Sequence, residues 1–94
     1  MYTLEFTNPS KKDMKQIDKF DLKFIRNSLT EFVHNFSFEY EKVLMQKGTI
    51  KKLQGQKELL YSLKLRSYRV IYKKEDDVLI ILVLKITTRE NTYK

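Results

Sequence analysis

Residues 61–72, YSLKLRSYRVIY, constrain the fold more than any other stretch. Apolar and polar residues alternate up to Leu65 and alternate again from Tyr68. Such alternation marks strands with one buried face. Two polar residues, Arg66 and Ser67, separate the arms, so the stretch predicts a hairpin. Folded about that pair, Leu65 faces Tyr68, Leu63 faces Val70 and Tyr61 faces Tyr72. The same register sets Lys64 directly opposite Arg69. Two cations side by side on a sheet repel, at a cost of roughly tenths of a kcal/mol. Either both side chains splay into water, or they form a preorganised anion site. In the second case the Arg fork holds a phosphate in bidentate fashion and Lys supplies a compact charge.

The hairpin needs a helical layer to cover its apolar face. Leu22, Ile25, Leu29, Phe32, Val33 and Phe36 recur at helical spacing and form one amphipathic stripe. A shorter helix precedes it, with Met14, Ile17 and Phe20 on one face. Asn8 is its expected cap, Pro9 its first turn, and Ser10 with Asp13 a weak capping box. Asp21 is the expected cap of the second helix. Residues 2–7 alternate and read as a first strand. Residues 38–57, which contain both glycines, Gly48 and Gly55, read as an irregular connector with a short turn of helix near 40–46. Glu75-Asp76-Asp77 makes a turn after the hairpin. Val78 to Leu84 then run apolar without a break, as expected of a central strand covered on both faces. The order is β-α-α-β-β-β. It predicts an α+β fold with an N-terminal strand and a two-helix hairpin on one face of a small, mostly antiparallel sheet. Tyr61, Leu63, Leu65, Tyr68, Val70 and Tyr72 should face the helices, and Ser62, Lys64, Arg69 and Ile71 should face away.

Ninety-four residues predict a single domain spanning 1–94. The chain has no cysteine, which excludes a disulfide framework and a thiolate zinc site. No apolar run reaches the ~18 residues of a membrane span. The first residues lack the layout of a signal peptide. The expected location is cytoplasmic. The formal charge is +7, and its distribution is segmental. Acidic and basic side chains balance in residues 1–46 and again in 74–94. Between them lie Lys47, Lys51, Lys52, Lys57, Lys64, Arg66, Arg69 and Lys73 against Glu58 alone. Such a segment is either a solvated basic surface or a site for a polyanion, nucleic acid or an acidic chain.

No phosphate-binding glycine loop, dinucleotide fingerprint or His/carboxylate metal spacing is present. His34 is the single histidine, so no mechanism requiring two can operate. It lies beside the apolar stripe and reads as a structural or surface residue. Arg89 and Tyr93 follow the last strand and are placed to reach the open face if the tail folds back.

Taken together, 60-LYSLKLRSYRVIY-72, the preceding Lys52-Leu53-Gln54-Gly55 and the ending 89-RENTY-93 resemble the RelE/ParE superfamily of toxins from type II toxin–antitoxin modules. The resemblance covers essentially the whole chain. It implies one of two activities, because RelE-like members cut mRNA in the ribosomal A site and ParE-like members poison DNA gyrase. By match of position, Lys64, Arg69, Arg89 and Tyr93 correspond to residues of the RelE-like site, which favours the nuclease branch. The chain departs from the pattern at three places. Ser62 stands where some relatives carry a second lysine, Thr87-Thr88 replaces a glycine-histidine pair, and Arg66-Ser67 replaces a Gly-Asp turn.

The resemblance implies a ribosome-dependent endoribonuclease without metal or other cofactor. The ribose 2′-OH would attack the adjacent phosphate and leave a 2′,3′-cyclic phosphate and a 5′-OH. Lys64 would deprotonate the 2′-OH or hold its oxyanion, and Arg69 and Arg89 would stabilise charge on the phosphorane. Tyr93 would stack on a base or move a proton. Lys51, Lys52, Lys57, Arg66 and Lys73 are the expected RNA-binding cations. The implied partners are mRNA on the 30S A site and an acidic antitoxin, which would cover segment 47–73 and the edges of the helix pair in a hetero-oligomer. The alternatives are a gyrase inhibitor without nuclease chemistry and a degenerate module that only binds antitoxin.

Overall fold

The computed structural model describes residues 1–54 and 57–88. The chain runs β1 (Thr3–Phe6), α1 (Asn8–Lys15), α2 (Lys19–His34), α3 (Phe38–Gln46), β2 (Ile50–Lys52), β3 (Tyr61–Leu65), β4 (Tyr68–Glu75) and β5 (Ile80–Thr88). This is the expected α+β arrangement, with one more helix and one more strand than the sequence predicts. The five strands form a single sheet in the order β1-β5-β4-β3-β2. All neighbours are antiparallel except β1 and β5, which run parallel.

Local chemistry explains where the helices start. Thr7, not Asn8, caps α1: its Oγ1 accepts the Ser10 amide, and Pro9 occupies the first turn. Ser10 is fully buried and donates its hydroxyl to the Thr7 carbonyl. Asp13 does not complete a capping box. Its carboxylate accepts the Ile86 amide at 2.9 Å and ties α1 to β5. Asp18, not Asp21, caps α2 and accepts the Asp21 amide. Helix α1 ends at Lys15, so Phe20 falls outside its stripe and is 88% exposed. Ser37 caps α3, and Gly48 at φ 80° closes its C-terminus. The Gly48 and Thr49 amides take the Met45 and Leu44 carbonyls. That reversal sends the chain directly into β2.

Ile25, Leu29, Phe32 and Val33 of α2 pack with Met14 of α1 onto Ile50, Tyr61, Leu63, Val70, Tyr72, Ile81, Val83 and Ile86 of the sheet. All three helices lie on this one side of the sheet. Among the described residues no helix lies on the other side, so the expected two-faced cover over the apolar run 78–84 is not formed by helices there. Val78 and Leu79 lie in the preceding turn, 61% and 40% exposed, and the strand begins at Ile80. Along β5 only Ile81, Val83 and Ile86 are buried. The register shifts beside Ile71 and Tyr72, which pair with Lys85 and Val83, so Leu84 is the extra residue of a bulge. The bulge keeps Val83 and Ile86 on the helical side although they are three positions apart, an offset that would place them on opposite faces of a regular strand.

Leu79 has φ 55°, a left-handed conformation that costs a side chain about 1–2 kcal/mol. Leu79→Gly should therefore stabilise the fold by about 1 kcal/mol, read as a raised Tm. A lowered Tm would show that the leucine side chain packs more than it strains.

Candidate anion site on the open sheet face

The hairpin has the register that its alternation predicts. Tyr61 pairs Tyr72, Leu63 pairs Val70, Lys64 pairs Arg69 and Leu65 pairs Tyr68. The turn residue Arg66 takes φ 55° without a glycine. Its guanidinium lies 3.7 Å from the centroid of the Phe24 ring, a cation–π contact that draws it toward α2.

Lys64 and Arg69 occupy adjacent strands on the helix-free face. Thr87 of β5 continues their row. Lys64 is exposed, whereas Arg69 is only 8% exposed. The Nε of Arg69 is buried without a hydrogen-bond partner among the described residues. The ion pairs among the described residues are Lys73–Glu58 and Lys74–Glu41, and neither includes Lys64 or Arg69. A buried guanidinium beside another cation, with a donor unfilled, is costly unless an anion completes it. This is the arrangement that a phosphate oxygen would satisfy.

The remaining candidate cations are dispersed. Lys51 lies on β2 in register with Ser62, on the same face as Lys64. Lys52 pairs with Tyr61 and has the opposite parity. Lys57 is exposed in the connection between β2 and β3. Lys73 faces the open side but is held by Glu58 at 2.8 Å, and that hydrogen bond raises its pKa. Arg66 is drawn toward Phe24, as above. Arg89 and Tyr93 lie outside the described residues. His34 is exposed in the last turn of α2.

The sequence reading missed Glu41 and Lys74, which build a polar cluster on the helical side. Glu41 is 4% exposed, accepts the Tyr72 hydroxyl at 2.7 Å and pairs with Lys74 Nζ at 2.7 Å. Lys74 also lies over the rings of Tyr61 and Phe38. Burial pushes the Lys74 pKa down, but the hydrogen bond and charge of Glu41 outweigh it and the net shift is upward. Lys74 thus belongs to the core and not to the basic face.

Two more tyrosines are tied to carboxylates. Tyr68 donates to Asp21 at 2.7 Å, which together with desolvation pushes its pKa up to about 12. Tyr2 is pushed up to about 12 by desolvation and its hydrogen bond to Asp76. Both folded values exceed the ordinary 10.0. The folded state therefore keeps protons that the unfolded chain releases. Their contribution is full below pH 10 and falls as the pH rises toward 12. The Tm should be insensitive to these groups up to pH 10 and decline above it, and Tyr68→Phe should make that decline shallower. An unchanged slope would detach Tyr68 from it.

Solved structures share this architecture. The structure of an archaeal RelE–RelB complex from Pyrococcus horikoshii OT3 matches at 26% identity and TM-score 0.68, covering 94% of both chains. The intact RelBE toxin–antitoxin complex of E. coli matches at 22% identity and TM-score 0.68, over 94% of this chain and 96% of that one. The chain has the RelE fold. YafQ from E. coli strain BL21(DE3) superposes along the full length of both chains, with TM-score 0.71 at 16% identity. No protein-family model matches the sequence, and no curated protein does either. At such identities the RelE fold is carried by the pattern of burial, which survives replacement of most individual side chains. In this RelE fold no described helix is long and apolar enough to cross a membrane.

Proposed function

We propose that this chain is the toxin of a toxin–antitoxin module and acts as a ribosome-dependent mRNA endoribonuclease. The observation that carries the reading is the Lys64–Arg69 pair on the helix-free face, with a buried guanidinium nitrogen lacking a partner among the described residues. Likeness to RelE structures supports the nuclease branch over gyrase inhibition.

In this mechanism the scissile phosphate sits against Arg69, whose fork neutralises charge as the phosphorane forms. Lys64 lies directly across the strands and holds the attacking 2′-oxygen or takes its proton. By match of position with the family, Arg89 is assigned charge stabilisation on the phosphorane together with Arg69, and Tyr93 stacking on a base or movement of a proton. No metal or cofactor is invoked. A cation pair without a histidine is a weak catalyst alone, so positioning by the ribosome supplies much of the rate. The module also requires an antitoxin. The solved relatives include RelB–RelE complexes, and a chain whose +7 charge is concentrated in 47–73 suits an acidic partner.

Primer extension on cellular mRNA after brief induction tests the reading. Expected are new 5′ ends within translated frames, lost when translation initiation is blocked. Intact mRNA together with inhibited supercoiling by purified gyrase would replace it with the gyrase reading.

A further inference from the structure

Helices α1 and α2 leave a small apolar groove between them, about 220 Å³ in volume. Met14 and Leu22 line it, and Lys11, Lys15 and Arg26 stand around it. All three cations are exposed. The β4–β5 turn has the reverse character. Its exposed carboxylates, Glu75, Asp76 and Asp77, are followed at once by Val78, 61% exposed, and Leu79, 40% exposed. Neither these cations nor these carboxylates form an ion pair among the described residues. Asp76 accepts the Tyr2 hydroxyl, which supplies no countercharge. A solvent-facing turn is ordinarily built from glycine and small polar residues. Two aliphatic residues stand here instead, and Leu79 does so at φ 55°. Exposure to water gives no reason to keep them. The Val78 and Leu79 amides bond to the Glu75 and Asp76 carbonyls and hold the turn in shape. Asp13 fastens α1 to Ile86, six positions along β5 from Ile80. The turn and the groove of one molecule are therefore about 20 Å apart. No turn can fill its own groove.

We propose that the β4–β5 turn of one molecule docks in the α1–α2 groove of a second copy of this chain. An aliphatic knob beside carboxylates meets an apolar slot beside cations. Val78 enters between Met14 and Leu22, and Glu75, Asp76 and Asp77 lie against Lys11, Lys15 and Arg26. Complementary charge of this kind selects the partner and fixes its orientation. Turn and groove are different surfaces, so the contact is heterologous. Each added copy leaves one turn and one groove unfilled unless a ring closes. One knob and its rim make a small contact, of the class of weak encounters. Association therefore depends on concentration, and salt weakens it by screening. The groove is built by helices, on the other side of the sheet from Lys64 and Arg69, so the inference stands apart from the nuclease reading.

The test is analytical ultracentrifugation of the full-length chain over a wide range of concentration, at ~0.05 M and ~0.5 M salt. At low salt the average mass should climb above the 11.4 kDa of one chain as concentration rises, and at high salt it should fall back. Asp77→Lys and Arg26→Glu should each weaken the association by roughly tenfold, since each sets like charges together. A mixture of the two variants should recover it, because the altered turn then fits the altered groove. Val78→Ala should weaken it with no change of charge. Lys42→Glu makes the same charge reversal on exposed α3 and should leave it intact. Thermal melting should show all four variants folded, since every changed side chain is exposed. A single-chain mass at every concentration in low salt would overturn the proposal and leave the groove to some other acidic chain. Association that survives Arg26→Glu but not Asp77→Lys would mean turn against turn, and would overturn the role of the groove. Equal weakening by Lys42→Glu and Arg26→Glu, or no recovery in the mixture, would reduce the effect to general charge and overturn it too.

Discussion

Arg69→Ala is expected to reduce mRNA cleavage by about 10²–10³-fold, the usual effect of removing one positioned donor from a developing anion. The reason lies in how Arg69 is held. It is 8% exposed, opposite Lys64 and with Nε unfilled among the described residues. A side chain kept in that state contributes little to the folded protein. Removing it lifts a like-charge contact and a buried donor, so the Tm should be maintained or raised. Cleavage measured in a reconstituted translation reaction, beside thermal melting, separates chemistry from folding. A variant that cuts at the parental rate would take Arg69 out of the mechanism. A variant that is inactive and melts much earlier would show a structural role. Lys64→Ala should give a loss of similar order. The double variant should lose little more than the worse single one, because groups acting on one phosphate fail as a unit.

Glu41→Ala should destabilise the fold by about 3–5 kcal/mol, the cost of breaking a buried ion pair from one side. For a domain of this size that is a large share of a total of about 5–15 kcal/mol. The Glu41 and Lys74 side chains are 6% and 11% exposed. Loss of the carboxylate strands the ammonium and also leaves the Tyr72 hydroxyl without its acceptor. Replacing both charges, Glu41→Leu with Lys74→Met, should restore much of the loss, since the pair's desolvation nearly offsets its attraction. Urea unfolding of the single and double variants gives both values. A single variant with an unchanged midpoint would show that water reaches the pair.

The hairpin was legible because its evidence is local and redundant. Six apolar residues, two turn residues and a period of two all specify one register, and a slip by one would invert every side chain. The α2 stripe was legible for the same reason at helical period. Strand β2 was not. It is three residues long, Ile-Lys-Lys, and too short to show a period. Only pairing with β3 makes it a strand. Helix α3 was half visible, because its buried faces answer to Tyr72, Lys74 and β2 and not to a stripe of its own. The caps were displaced to Thr7 and Asp18, each next to or near another residue able to cap. Sequence alone does not decide between neighbouring candidates whose energies differ by less than tertiary packing supplies. The apolar run 78–84 misled because a run without alternation says nothing about where a turn or bulge falls.

Sequence by itself determined the α+β class, the faces of the hairpin and the confrontation of Lys64 with Arg69. Those follow from side-chain periodicity, which is a property of the chain. Tertiary structure alone decided which cations share a surface. It took Lys74 into the core with Glu41, drew Arg66 onto Phe24 and gave Lys73 to Glu58. It placed Lys51 beside Ser62 across a strand pair that no local pattern announces. Charge is counted along the sequence, but its availability depends on neighbours brought together from distant positions, and burial sets the cost of leaving it unpaired.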